Sequence, residues 1–165
     1  MRLLRLLGIT FAIAWLLATS PLPAQAASSA AIRAYDDVEG VTKNYAGQSL
    51  IRSEFNDARL ESANFAGADL RGAVFNGATL KNANLHGVDF SDGIAYLSSF
   101  VGADLSDAVL TSAMLLKSSF RDANVTGADF SFAVLDRPQV LMLCKTASGV
   151  NPTTQVDTRE SLGCS

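Results

Sequence analysis

An apolar residue, nearly always Leu or Phe, falls on every fifth position of this chain from Leu50 to Leu135. The centres are Leu50, Phe55, Leu60, Phe65, Leu70, Phe75, Leu80, Leu85, Phe90, Ala95, Phe100, Leu105, Leu110, Leu115, Phe120, Val125, Phe130 and Leu135. Sixteen of the 18 are Leu or Phe, and 12 of the positions two before them are Ala. A period of five does not suit an α-helix: at about 100° per residue, successive centres would spiral around the rod. Within a unit, however, the small residue and the centre stand two apart. That is strand spacing, with both facing in and the residue between them facing out. The other two residues turn a corner, where Gly67, Gly72, Gly77, Gly87, Gly102 and Gly127 recur; a tight bend favours a residue without a Cβ.

The outward residues carry a second period. Taken in fours, they read Ser49, Glu54, Arg59, Asn64; Asp69, Val74, Thr79, Asn84; Asp89, Ile94, Ser99, Asp104; Val109, Met114, Ser119, Asn124; Asp129, Val134. After the first group the order is acidic, apolar, hydroxyl, then amide or acid, with Val109 the main exception. Four five-residue sides therefore make one square coil, and residues twenty apart stack.

Units such as Ala68-Asp69-Leu70-Arg71-Gly72 and Ala103-Asp104-Leu105-Ser106-Asp107 resemble the pentapeptide-repeat motif, Ala-(Asp/Asn)-Leu-X-X. The resemblance runs from Gln48 to Arg137. It implies an all-β fold, a right-handed quadrilateral β-helix (a solenoid) of about 4.5 coils with short helical or loop caps. At about 4.8 Å per coil the rod would stand about 22 Å tall. The expected organisation is a signal peptide over 1–26, an amino-terminal cap over 27–47, the β-helix over 48–137 and a carboxy-terminal cap over 138–165. Pro138 cannot donate to a ladder and should stop the coil.

The ends set the compartment. Arg2 and Arg5, the apolar run Leu6 to Ala18 and Ala24-Gln25-Ala26 have the form of an export signal with its cleavage site. The apolar run is too short to span a bilayer comfortably, so no stable membrane insertion is expected after signal removal. The mature chain would begin at Ala27 and carry 11 basic against 16 acidic residues, a net charge of −5. Cys144 and Cys164 are the only cysteines. An even count in an exported chain reads as one structural disulfide, and a regulatory thiol pair is the competing reading. Asp157 followed by Glu160, with Gly163 beyond, predicts a short helix in the tail. The tail from Leu143-Cys144-Lys145 to Leu162-Gly163-Cys164 resembles those of exported cyanobacterial and plastid pentapeptide-repeat proteins, which implies a thylakoid lumen or periplasm.

Catalytic chemistry is sparse. His86 is the lone histidine, on an outward corner, and the repeat array holds no cysteine. A triad or zinc site would lack members, so no catalytic residue, metal or cofactor is assigned. Asp69, Asp89 and Asp129 should stack as solvated carboxylates, and Asn64, Asn84 and Asn124 as an amide column with Asp104. Basic residues form no stripe, so nucleic-acid binding is not expected. The chain reads as a non-enzymatic, exported protein-interaction or scaffold module of unassigned partner and oligomeric state. The alternatives are a DNA-mimicking topoisomerase-binding protein, which the resemblance raises, and a redox-responsive lumenal protein switched through its cysteines.

One side carries the candidate binding residues. Val74, Ile94, Met114 and Val134 stand twenty apart and outward, with Tyr96, Leu97 and Leu116 at the adjoining corner. Such a stripe is covered by a terminus folding back, or it is a docking face with Tyr96 and Met114 as anchors. Ala95, an undersized centre on this side, leaves room for a neighbour to lean in.

Overall fold

The structure, a computed structural model, describes residues 43–164. The expected export signal and all but the end of the expected amino-terminal cap lie outside the described residues. From Asn44 to Val134 the chain makes a parallel β-bridge every five residues, each between positions twenty apart. Four sides result. The first stacks Asn44, Asn64, Asn84, Asp104 and Asn124; the second Ser49, Asp69, Asp89, Val109 and Asp129; the third Glu54, Val74, Ile94, Met114 and Val134; the fourth Arg59, Thr79, Ser99 and Ser119. Asn44 pairs with Asn64, so the ladder begins one side before Gln48. Bridges stay single residues because only one residue per side is free of a corner.

Hydrogen bonding explains the five-residue unit. Each centre donates to the coil above (Leu50 N to Asp69 O, 2.8 Å), as does the second corner residue (Arg52 N to Arg71 O, 2.9 Å). The outward residue donates to the coil below (Asp69 N to Gln48 O, 2.9 Å), and the next inward residue closes the turn (Ser53 N to Leu50 O, 3.1 Å). The fifth amide, on the first corner residue, needs a further acceptor. On the first side the outward residue supplies it: Asn44, Asn64, Asn84, Asp104 and Asn124 accept from Ala46, Ala66, His86, Ser106 and Thr126. Asp69, Asp89 and Asp129 do the same on the second side. The polar residue of the motif thus holds a corner amide in place.

The second corner residue sits in the left-handed region on every side. Glycines occupy part of these corners, yet Arg52, Asp57, Ser62, Asn82, Asp92, Leu97, Asp107, Ser112, Lys117, Asp122 and Phe132 also take φ of 54–60°. Ladder bonds therefore force the conformation even where the residue disfavours it.

Inside, the centres and their small partners are buried almost without exception. Phe55 stacks on Phe75 at 4.6 Å between centroids, Phe100 on Phe120 at 5.0 Å, and Tyr45 on Phe65 at 4.7 Å. Ala95 is fully buried, and on the same side Gly93 replaces the usual alanine. The Phe90 ring leans into that gap: a Cβ on Gly93 would lie 2.4 Å from its carbons.

The tail closes the carboxy-terminal edge. Helix α1 spans Arg137–Leu143 and opens with Pro in its first turn. Sequence reading anticipated only the stop at Pro138; the Asp136–Gln139 pair starts a helix there. Gln139 Oε1 accepts Asp136 N, and its buried Nε2 donates to Leu115 O and Ser118 O. Asp136 Oδ2 accepts Lys117 N at 2.7 Å, where the next coil's carbonyl would stand. Further on, Ser148 O accepts Gly127 N and Ser161 Oγ accepts Phe130 N. Helix α2, Thr158–Ser161, is capped by Asp157, which accepts from Arg159 N and Glu160 N. A disulfide joins Cys144 to Cys164.

Candidate interaction face

The third side is chemically unlike its neighbours because its outward residues from Val74 upward are all apolar. Val74, Ile94, Met114 and Val134 carry no oxygen to hold a corner amide; Tyr96 N turns to Asn76 Oδ1 in the coil below, at 3.1 Å. Coil formation does not account for four apolar residues here. They are bridged in succession, so the side chains follow one another up a flat wall. Val74 and Ile94 are half-buried against neighbours, while Met114 and Val134 are 43% and 46% exposed.

The corner that follows this side extends the stripe. Tyr96 and Leu116 are half-buried and stacked one coil apart, and Leu97 is 57% exposed. Lys117 lies beside them, its Nζ 5.5 Å from the Tyr96 ring centroid, and the hydrogen bond to Tyr96 raises its pKa. All seven residues singled out from the sequence therefore share one side. Sequence reasoning missed two more apolar groups beside it, Ile51 and Phe132 on the preceding corner, at 45% and 86% exposure. Phe132 could have been found, because a bulky apolar residue stands where every other unit except that of Leu97 places Gly or a polar residue.

The cysteine-bearing tail does not cover this side. It lies along the second. Asn151 is fully buried, and its Nδ2 donates to Asp107 O, Ala108 O and Gly127 O. The tail changes the expected acidic column: Asp129 is not solvated but 2% exposed, unlike Asp69 and Asp89. Burial pushes the Asp129 carboxyl up, yet hydrogen bonds from Ser131 and Thr111 hold it below the usual carboxylate range. Asp69 remains on the surface, paired with Arg71 at 2.6 Å. His86 is exposed, its Nδ1 3.0 Å from Ser106 Oγ. Among the described residues, no group of three or more His, Cys, Asp or Glu could hold a metal ion. No helix among them is long and apolar enough to cross a membrane.

Residues 53–92 and 103–137 match the family of pentapeptide repeats, in eight copies. A pentapeptide repeat protein of known structure from the Arabidopsis thaliana thylakoid lumen is 35% identical; the alignment covers 74% of this chain and 85% of that one, with a TM-score of 0.35. The chain belongs to the pentapeptide-repeat family. The family's right-handed quadrilateral β-helix accounts for the four sides and the twenty-residue register. A pentapeptide repeat protein of Nostoc is 32% identical over 56% of this chain and 72% of that one, with a TM-score of 0.44. Among curated proteins, Arabidopsis thylakoid lumenal protein TL20.3 is 62% identical over 42 residues, which is 26% of this chain. Arabidopsis thylakoid lumenal 15 kDa protein 1 is 49% identical over 47 residues, 28% of this chain. The matches span only 15% and 21% of those two relatives. These relatives are lumenal, which supports an exported, lumenal location for this pentapeptide-repeat protein.

Proposed function

We propose that this pentapeptide-repeat protein is a non-enzymatic interaction module of the thylakoid lumen, and that its third side is the surface that docks a protein partner. The observation that carries this reading is the apolar wall of Val74, Ile94, Met114 and Val134. It stays accessible beside the tail and has no role in holding the corners. Tyr96 and Met114 are its central anchors, since aromatic residues and Met are enriched at interface cores. The export signal over 1–26 and the terminal caps complete the proposed organisation, with the disulfide steadying the carboxy-terminal one. Partners are proteins on this reading, with no nucleic acid and no cofactor.

Met114→Glu tests it. With that side chain 43% exposed, the variant should keep its melting temperature and lose partner capture from the native compartment. Unfolding, or a newly protease-sensitive terminus, would show that the stripe is internal packing.

The disulfide supports a second reading, in which lumenal redox state sets cap closure. Cys144–Cys164 closes the segment whose Asn151 and Ser161 bond to the last coil. Reduction should then raise tail proteolysis; an unchanged cleavage rate would dismiss it.

A further inference from the structure

The ladder is open at its amino-terminal end. An outward residue turns both its amide and its carbonyl to the coil below, so in the first coil these groups point past the end of the rod. Among the described residues, nothing bonds to the amides of Ser49, Glu54 and Arg59 or to the carbonyls of Ser49 and Glu54. Arg59 O takes only the Lys43 ammonium, and Asn44 O the Gln48 side-chain amide. The other end differs, since Asp136, Gln139, Ser148 and Ser161 meet the last coil there. Arg52, Glu54, Arg59 and Glu61 stand around the open end, all exposed, and among the described residues none of them forms an ion pair. A row of unpaired ladder groups is a template for another chain.

The shape of this edge restricts what can pair with it. Only one residue per side is free of a corner, so a straight strand matches one side and no more. A partner that pairs on all four sides must turn the same corners. Residues 27–42 join the rod at this end but do not fit: carried back, the register sets Arg33 inward and Gly40 at a centre. The first coil of another molecule does fit. We infer that this end binds the same end of a second copy of the chain, about a twofold axis perpendicular to the rod. The axis passes through the Asn56–Asp57 corner and the opposite corner at Ala46–Gly47. The facing coils then run antiparallel, and residues that turn both N–H and C=O across exchange two bonds with the residue opposite. Glu54 falls opposite Arg59 and Ser49 opposite Asn44, each twice. At the corners Arg52 falls opposite Glu61. Asp57 falls opposite Asn56, with its own carboxylate turned to the coil above, against Gly77. Other twofold axes that lay side on side set Glu54 on Glu54, or Arg59 on Arg59, or both charges on the neutral Ser49 and Asn44. One operation therefore pairs four charges that the chain itself leaves unpaired.

Sedimentation velocity of the exported chain, from low micromolar to submillimolar concentration, tests the inference. The expected result is a reversible monomer–dimer equilibrium that weakens as salt rises. Glu54→Arg and Arg59→Glu each put two like-charged pairs across the axis and should weaken self-association at least about tenfold. Neither should move the melting temperature of the monomer, because both side chains are exposed and carry no ion pair among the described residues. Mixed together, the two variants should associate with each other as the wild type does with itself, since each meets the opposite charge at both positions. A wild-type chain that is monomeric throughout the range overturns the inference. So does a dimer indifferent to both variants, or a pair of variants that fail to associate on mixing. A chain that dimerises only once residues 27–42 are removed overturns it too, and gives the edge to the chain's own amino-terminal segment. The third side lies away from this edge, so capture that depends on Met114 stands or falls separately.

Discussion

Replacing Gly93 with alanine separates this structure from its own repeat pattern. Ala is the residue at the equivalent position in the coils below and above, Ala73 and Ala113, both fully buried. The pattern alone therefore predicts that Gly93→Ala is harmless, or stabilising by about 0.4–1 kcal/mol through a less flexible unfolded chain. The packing predicts the opposite sign. A Cβ there would sit 2.4 Å from two carbons of the Phe90 ring and 2.6 Å from a third. Phe90 is itself buried and edges against Phe75 at 5.6 Å between centroids, so the ring has little room to retreat. Overpacking of this kind costs about 1–3 kcal/mol, which exceeds the entropic gain. The net expectation is a loss of about 1–2 kcal/mol, read as a shift of midpoint in urea unfolding at constant slope. Phe90→Leu should relieve the clash, since Leu70 and Leu110 fill that column one coil away. The double variant Gly93→Ala/Phe90→Leu should then be more stable than the sum of the single changes allows. A neutral or stabilising Gly93→Ala with Phe90 intact would refute the reasoning.

Three further expectations concern the tail. Asn151→Ala removes the donor to three carbonyls and should cost about 1–3 kcal/mol, with earlier proteolysis beyond Leu143; unchanged melting would contradict the cap's role. Replacing Cys144 and Cys164 together with serine should remove about 3 kcal/mol while the β-type circular dichroism survives at low temperature. Collapse of the whole spectrum would instead make the tail part of the folding nucleus. Asp129, whose folded pKa is depressed, stabilises the protein above the unfolded carboxyl value of about 4. That contribution is lost as pH falls through the folded value, so Asp129→Asn should be less stable than wild type at pH 7 and show less acid sensitivity. A wild type and variant with parallel pH profiles would show that the hydrogen bonds from Ser131 and Thr111 do not favour the charged form.

The coil was legible because its ladder writes itself into the sequence. A register of five places a small residue and a large one inward in every unit, and the twenty-residue period follows from stacking like upon like. The apolar side was legible for the same reason, since Val74, Ile94, Met114 and Val134 stand in one column. What escaped was the contact of tail with coil. Asn151 reaches carbonyls 24 to 44 residues away, and Gln139 reaches those 21 and 24 residues away. No periodicity announces such pairings. Asp129 was read as solvated by analogy with Asp69 and Asp89, but the tail covers only the last coil on that side. Corner glycines also misled in part: Leu97 and Phe132 adopt the same left-handed turn because the amide must reach the next coil.

The central claim, that the third side is an interaction surface, is tested most directly by site-specific photocrosslinking in the native compartment. A benzophenone side chain replaces Met114 on the third side or, as the control, exposed Ser119 on the fourth. The account predicts an intermolecular adduct from position 114 and none from 119. Equal adducts from both positions, or crosslinks from 114 only to this chain's own residues 1–42, would contradict it.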